Sequence, residues 1–95
     1  MNVQIQSVKF DADKRLIEFI QKKMDRLDRF AERSNGADVV LRLDHDQERG
    51  NKVAVINLHI PGNDIHVEER ARTFEEAVDE AIDNIKRQLE KVKAR

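Results

Sequence analysis

Polar and apolar residues alternate from Asn2 to Phe10 (NVQIQSVKF), which predicts a first strand. Beyond Asp11 and Asp13, either of which offers a carboxylate oxygen to cap a helix, the period changes. Leu16, Phe19, Ile20, Met24, Leu27, Phe30 and Ala31 recur every three or four positions and mark one face of a helix from about Asp13 to Arg33. Ser34-Asn35-Gly36 predicts its end, with Gly36 as a left-handed C-cap. Alternation returns in ADVVLRLDHD (37–46), where Val39, Leu41 and Leu43 share a face. It continues in KVAVINLHI (52–60), with Ala54, Ile56, Leu58 and Ile60 on one side. QERGN between them predicts a hairpin loop. Pro61-Gly62-Asn63-Asp64 predicts a turn, and IHVEERA (65–71) a fourth strand with Ile65 and Val67 inward. Thr73 and Glu76 match a capping box. Phe74, Ala77, Val78, Ala81, Ile82, Ile85, Leu89 and Val92 then follow at helical spacing.

The resulting order is β-α-β-β-β-α. A helix between the first two strands makes them parallel, and the next three strands form a meander. Each helix has a single apolar stripe, so both must lie on the same sheet face. The expected fold is therefore α+β, a four-stranded mixed sheet with two helices packed on one face. The last helix, about 23 residues at ~1.5 Å each, outruns strands of roughly 27 Å, so its end projects beyond the sheet.

Ninety-five residues suit one domain, expected over 1–95. A hydrophobic fraction of 39% covers one sheet with two helices but leaves nothing for a buried cofactor cavity, and no cofactor is expected. The absence of cysteine excludes disulfides and thiolate metal sites. No apolar run approaches the ~20 residues of a membrane span, and the N-terminus lacks the apolar core of a signal peptide. The expectation is a soluble cytoplasmic chain without a membrane partner.

The formal net charge of −1 says little about partners, because screening over about 8 Å lets a partner feel only a local patch. The local pattern is more informative. Arg15, Lys22, Arg26, Arg29 and Arg33 fall on one narrow stripe of the first helix, beside the apolar face on the Phe19/Phe30 side. Lys23 lies at the apolar edge, where its stem can run along the surface. On the last helix Arg87, Lys91 and Arg95 stand four apart, with Lys86 and Lys93 on the opposite shoulder, while Glu75, Glu76, Asp79, Glu80 and Asp83 crowd the first half. Acids early and bases late are what the helix macrodipole favours. The first helix is different, because its cations are sorted around the axis rather than along it. Two such stripes on neighbouring helices could merge into one basic surface suited to phosphates. With no Trp or Tyr, and all four Phe in core positions, a base-stacking platform is disfavoured. Phosphate contact on structured RNA remains.

The topology, together with LIEFIQKKMDRLDRF in the first helix and NDIHVEERARTFEEAVDEAIDNIKRQLEKVK at the end, resembles the ribosome hibernation promoting factor family, which includes ribosome-associated inhibitor A. The likeness covers essentially the whole chain, and RQLEKVK is its most specific part. The resemblance implies a double-stranded-RNA-binding-like fold. It also implies binding to the small ribosomal subunit and its rRNA in the mRNA/tRNA channel, which inhibits translation and protects idle ribosomes under stress. The family's basic contacts carry over to Lys23, Arg26 and Arg29, and to Arg87, Lys91 and Lys93, with Arg95 at a commonly basic position. Lys22 and Arg33 join them from the stripe. Asn84 stands where relatives often have Lys, and Glu75 where Tyr is usual. The length resembles the family's short form, expected to be a monomer when free.

Other constellations carry less. By strand parity His59 and His66 point outward and His45 inward, so no metal site is expected. Asp44-His45-Asp46 has no accompanying nucleophile, so neither catalytic residues nor a small-molecule substrate are expected. Val40, Val53 and Val55 fall on the open sheet face. That makes a protein–protein interaction module using this face the alternative reading.

Overall fold

The protein is described by a computed structural model covering residues 1–31, 34–45, 48 and 50–93. The elements follow the expected order: β1 (Asn2–Ser7), α1 (Lys14–Phe30), β2 (Gly36–Leu43), β3 (Lys52–His59), β4 (Ile65–Ala71) and α2 (Phe74–Lys93). The strands form one sheet in the order β1-β2-β3-β4. β1 pairs parallel to β2 from Asn2↔Gly36 to Ser7↔Leu41, because α1 carries the chain back between them. β2–β3 and β3–β4 are antiparallel, with Val39↔Ile56 and Ile56↔Val67 at the centre.

The period-two alternation sends Val39 and Leu41 of β2, Ala54, Ile56 and Leu58 of β3, and Val67 of β4 to one face. There they meet Ile20, Met24 and Leu27 of α1 and Val78, Ala81, Ile85 and Leu89 of α2. Burying each larger side chain contributes about 1.5–3 kcal/mol, most of it offset by lost chain entropy. Both helix starts are capped as the sequence predicts. Asp13 Oδ1 accepts from the Leu16 N–H at 2.8 Å, and the Thr73 hydroxyl accepts from the Glu76 N–H at 3.1 Å.

The end of α1 departs from expectation. The Ala31 N–H donates to the Leu27 carbonyl at 2.9 Å, and Ala31 then leaves helical geometry at φ −113°, ψ 69°. Gly36 is not the C-cap. It opens β2, opposite Asn2 and His59, while the Asn35 N–H donates to the His59 carbonyl at 2.7 Å. A Cβ on Gly36 would lie 2.8 Å from the Asn2 carbonyl oxygen, so close strand approach is what needs glycine here. At the other end of β2 the strand stops at Leu43, and Asp44 donates its N–H to the Asn51 carbonyl at 2.8 Å. Asp46, Gln47 and Arg49 of the predicted hairpin lie outside the described residues. Gly50 follows at φ 109°, packed so tightly on Ala71 that a Cβ would fall 2.3 Å from its backbone.

Three contacts fix how the helices lie. The Phe10 and Phe74 rings stack at the two helix starts, 5.0 Å between centroids. Midway, Lys23 Nζ pairs with Asp79 Oδ1 at 3.0 Å. At the far end, Lys86 Nζ sits 6.0 Å from the Phe30 ring centroid. All run in the same chain sense, so α1 and α2 are parallel and end at the same pole. Lys86 lies level with the last residue of α1, so the rest of α2 continues past it by roughly two turns.

Candidate nucleic-acid interface

The helix-end pole gathers Arg26 and Arg29 from α1 with Lys86, Arg87 and Lys91 from α2. Lys22 stands one turn back along α1. Lys22, Arg26, Arg29, Arg87 and Lys91 are exposed, and none pairs with a carboxylate among the described residues. The acids on α1 are engaged elsewhere. Asp28 accepts from the N-terminal ammonium at 2.9 Å and from the Ser34 hydroxyl at 3.4 Å. Asp25 accepts from the Gln21 amide at 3.1 Å. In the Lys86–Lys93 stretch Glu90 is the one acid. Parallel helices also align their macrodipoles, and cations at both C-termini complement them. Such complementarity leaves the outward ends of exposed side chains available to phosphate.

Lys23 differs from its neighbours. Its side chain is 32% exposed and paired with Asp79, and its ammonium lies 5.4 Å from the Phe19 ring centroid. It ties α1 to α2 rather than projecting to solvent. Arg33 and Arg95 lie outside the described residues, and Lys93 is placed by its backbone alone, in the last turn of α2.

The two stripes do not run side by side along their length. Asp79 and Lys86 mark the flank of α2 that meets α1. Asn84 marks the other flank, where its amide donates to Glu69 of β4 at 3.1 Å and its oxygen accepts from Gln88 at 2.9 Å. Helical spacing then sets Arg87 and Lys91 on the outer surface of α2, turned away from α1. Alongside Lys22 the facing half of α2 is acidic. The cations of the two helices meet only at the shared pole, and the cation in the seam is Lys86. Sequence reasoning placed Lys86 on the opposite shoulder and left it out of the site. Its signal was the seven-residue step from Asp79, which repeats a helix face.

The open sheet face has another character. Val53 is wholly buried and Val55 nearly so, although neither belongs to the main core. Two bridges span β3 above them. Arg42 of β2 reaches Glu68 of β4 at 3.0 Å, and Arg70 of β4 reaches Asp44 at 2.6 Å. The face presents ion pairs, not an apolar patch. The His45 N–H and then Arg70 hold the Asp44 carboxyl below its usual range. On the same face the His59 ring contacts Asp38 at 2.9 Å and Asp64 at 3.2 Å, and these two carboxylates, Asp38 first, raise its pKa. His66 contacts Asn57. Among the described residues no three metal-binding side chains converge.

The sequence matches the family model described as "Sigma 54 modulation protein / S30EA ribosomal protein" over residues 3–95. It is 38% identical over 80 residues to a ribosome hibernation promotion factor of Deinococcus radiodurans, covering 82% of this chain but 41% of that relative. It is 33% identical over 76 residues to a ribosome hibernation promoting factor of Klebsiella oxytoca, covering 80% of this chain and 76% of that one. In structure it superposes on a ribosomal subunit interface protein from Coxiella burnetii with TM-score 0.86, 21% identity and full coverage of both chains. The N-terminal domain of Thermus thermophilus Protein Y superposes with TM-score 0.79 and 27% identity, over 97% of this chain and 99% of that one. The fold, the arrangement of elements and the match along nearly the whole sequence agree: this chain belongs to the Sigma 54 modulation protein / S30EA ribosomal protein family, the family of the ribosome hibernation promoting factors.

Proposed function

We propose that this protein is a ribosome hibernation factor that binds the small subunit through rRNA, in the channel used by mRNA and tRNA. Occupying that channel inhibits translation and protects idle ribosomes under stress. The binding surface is the helix-end pole, with Lys22, Arg26, Arg29, Arg87 and Lys91 as phosphate contacts, Lys86 in the seam, and Lys93, Arg33 and Arg95 extending the same basic run. Residues 1–95 act as one ribosome-binding domain, monomeric when free, in the cytoplasm. The role is binding without a chemical step.

The observation that carries this reading is the set of exposed cations at one pole, none of which pairs with a carboxylate among the described residues, while Asp25 and Asp28 of α1 are bonded elsewhere. Family membership supplies the ribosome as the polyanion. The open sheet face, with its valines under ion pairs, lends little to the protein–protein alternative.

The test is co-sedimentation with purified small subunits, followed by in vitro translation. Wild type should pellet with the subunit and lower translation. Arg87→Glu with Lys91→Glu should remove both effects while leaving the thermal midpoint within a few degrees. Retained binding in a folded variant would refute the surface.

A further inference from the structure

The pole opposite the cations holds a cleft of about 630 Å³ between the β1–α1 loop and the start of α2. Its wall is apolar: the stacked rings of Phe10 and Phe74, with Leu16 beside them. Its rim is acidic, formed by Asp11, Asp13 and Glu75. Lys9, at φ 63°, makes the left-handed turn that leads into Phe10. Asp13 is accounted for as the cap of α1. Asp11 precedes that cap, and Asp11 and Glu75 are exposed with no partner among the described residues. Arg15 also lines the cleft, leaving the rim net negative.

We infer that this cleft is a docking site for a basic polypeptide segment of a partner protein, whose Arg or Lys side chain lays its stem along the Phe10/Phe74 wall and its charge between Asp11 and Glu75. Charge complementarity selects the occupant. An anion would face two unpaired carboxylates, and a purely apolar segment would strip water from them without compensation. A cationic side chain with an apolar stem satisfies both surfaces, and an aromatic wall adds attraction for the charge. The site is separate from the nucleic-acid surface, at the other end of both helices. A molecule with both would hold RNA at one pole and a basic protein segment at the other.

The probe is a peptide alternating Arg and Gly, three of each, titrated into the isotope-labelled full chain and followed by amide NMR shifts. Shifts should cluster at residues 10–19 and 73–76. Asp11→Asn with Glu75→Gln should weaken binding about five- to tenfold. Phe10→Leu, which keeps every charge, should also weaken it. Glu80→Gln with Asp83→Asn, acids of α2 outside the cleft, should leave it unchanged. Equal weakening by the two acid pairs, or shifts spread along α2, would reduce the effect to general attraction and overturn the site. No binding at millimolar peptide would do the same. If the free protein self-associates and Asp11→Asn with Glu75→Gln abolishes that, the occupant is a second copy and the basic-partner inference fails.

Discussion

Lys23 illustrates how one residue can be read for two jobs. The family resemblance implies a phosphate contact for it, while its place at the apolar edge implies packing, and its ammonium is bonded to Asp79 and lies over Phe19. A partly exposed pair of this kind contributes about 0.2–1 kcal/mol, and the stem adds packing. A double-mutant cycle of Lys23→Met and Asp79→Asn, read by urea denaturation, should return a coupling in that range. Lys23→Glu should lower the thermal midpoint by several degrees as well as weaken RNA binding, whereas Arg26→Glu should only weaken binding. His59 gives a pH-dependent test. Asp38 on β2 and Asp64 in the preceding turn of β4 raise its pKa in the folded state. Its contribution to stability is therefore complete below the unfolded value near 6.5 and is lost as pH rises through the folded value. Urea midpoints at pH 6 and pH 8.5 should differ more for wild type than for His59→Gln. Equal differences would show that His59 does not carry this pH dependence.

The helices and strands were largely legible because their signals are local. Asp13 and Thr73 cap where the sequence places caps, since a short polar side chain before an apolar period has few other uses. The end of α1 was not legible. Ser-Asn-Gly is as good a helix stop as a strand entry, and only the long-range pairing of Gly36 with Asn2 and His59 decides between them. Gly36→Ala should accordingly destabilise the protein by pushing β1 from β2, although Gly36 has an ordinary backbone conformation. Central positions should cost more. Ile85 is fully buried between sheet and helices, and Ile85→Ala should cost about 2–5 kcal/mol, a large share of the roughly 5–15 kcal/mol typical of a whole domain. Chemical denaturation of both variants checks this order.

Across the whole molecule, two parallel helices bring cations together at their shared C-terminal pole; α2 keeps its acids in its first half, whereas α1 has no acid in its first turn and sorts its charges around the axis. The near-zero net charge hides this division. Each cationic stripe was visible from spacing of three and four, because helix geometry alone fixes it. Which flank of α2 meets α1 was not visible, since it depends on Lys23–Asp79 and Lys86–Phe30 contacts between distant segments. That is why spacing alone left Lys86 outside the site and did not fix where the two stripes meet. The same geometry shapes the central claim, that the shared helix-end pole grips rRNA by binding its phosphates. The most direct test is affinity for purified small subunits against salt concentration, for wild type and for Arg26→Glu with Arg87→Glu. Wild-type affinity should fall steeply with salt. The variant should bind at least tenfold more weakly, with a log–log slope shallower by about 0.7–0.9 for each phosphate it no longer neutralises, and an unchanged thermal midpoint. Equal affinity and equal slope in a folded variant would contradict the claim.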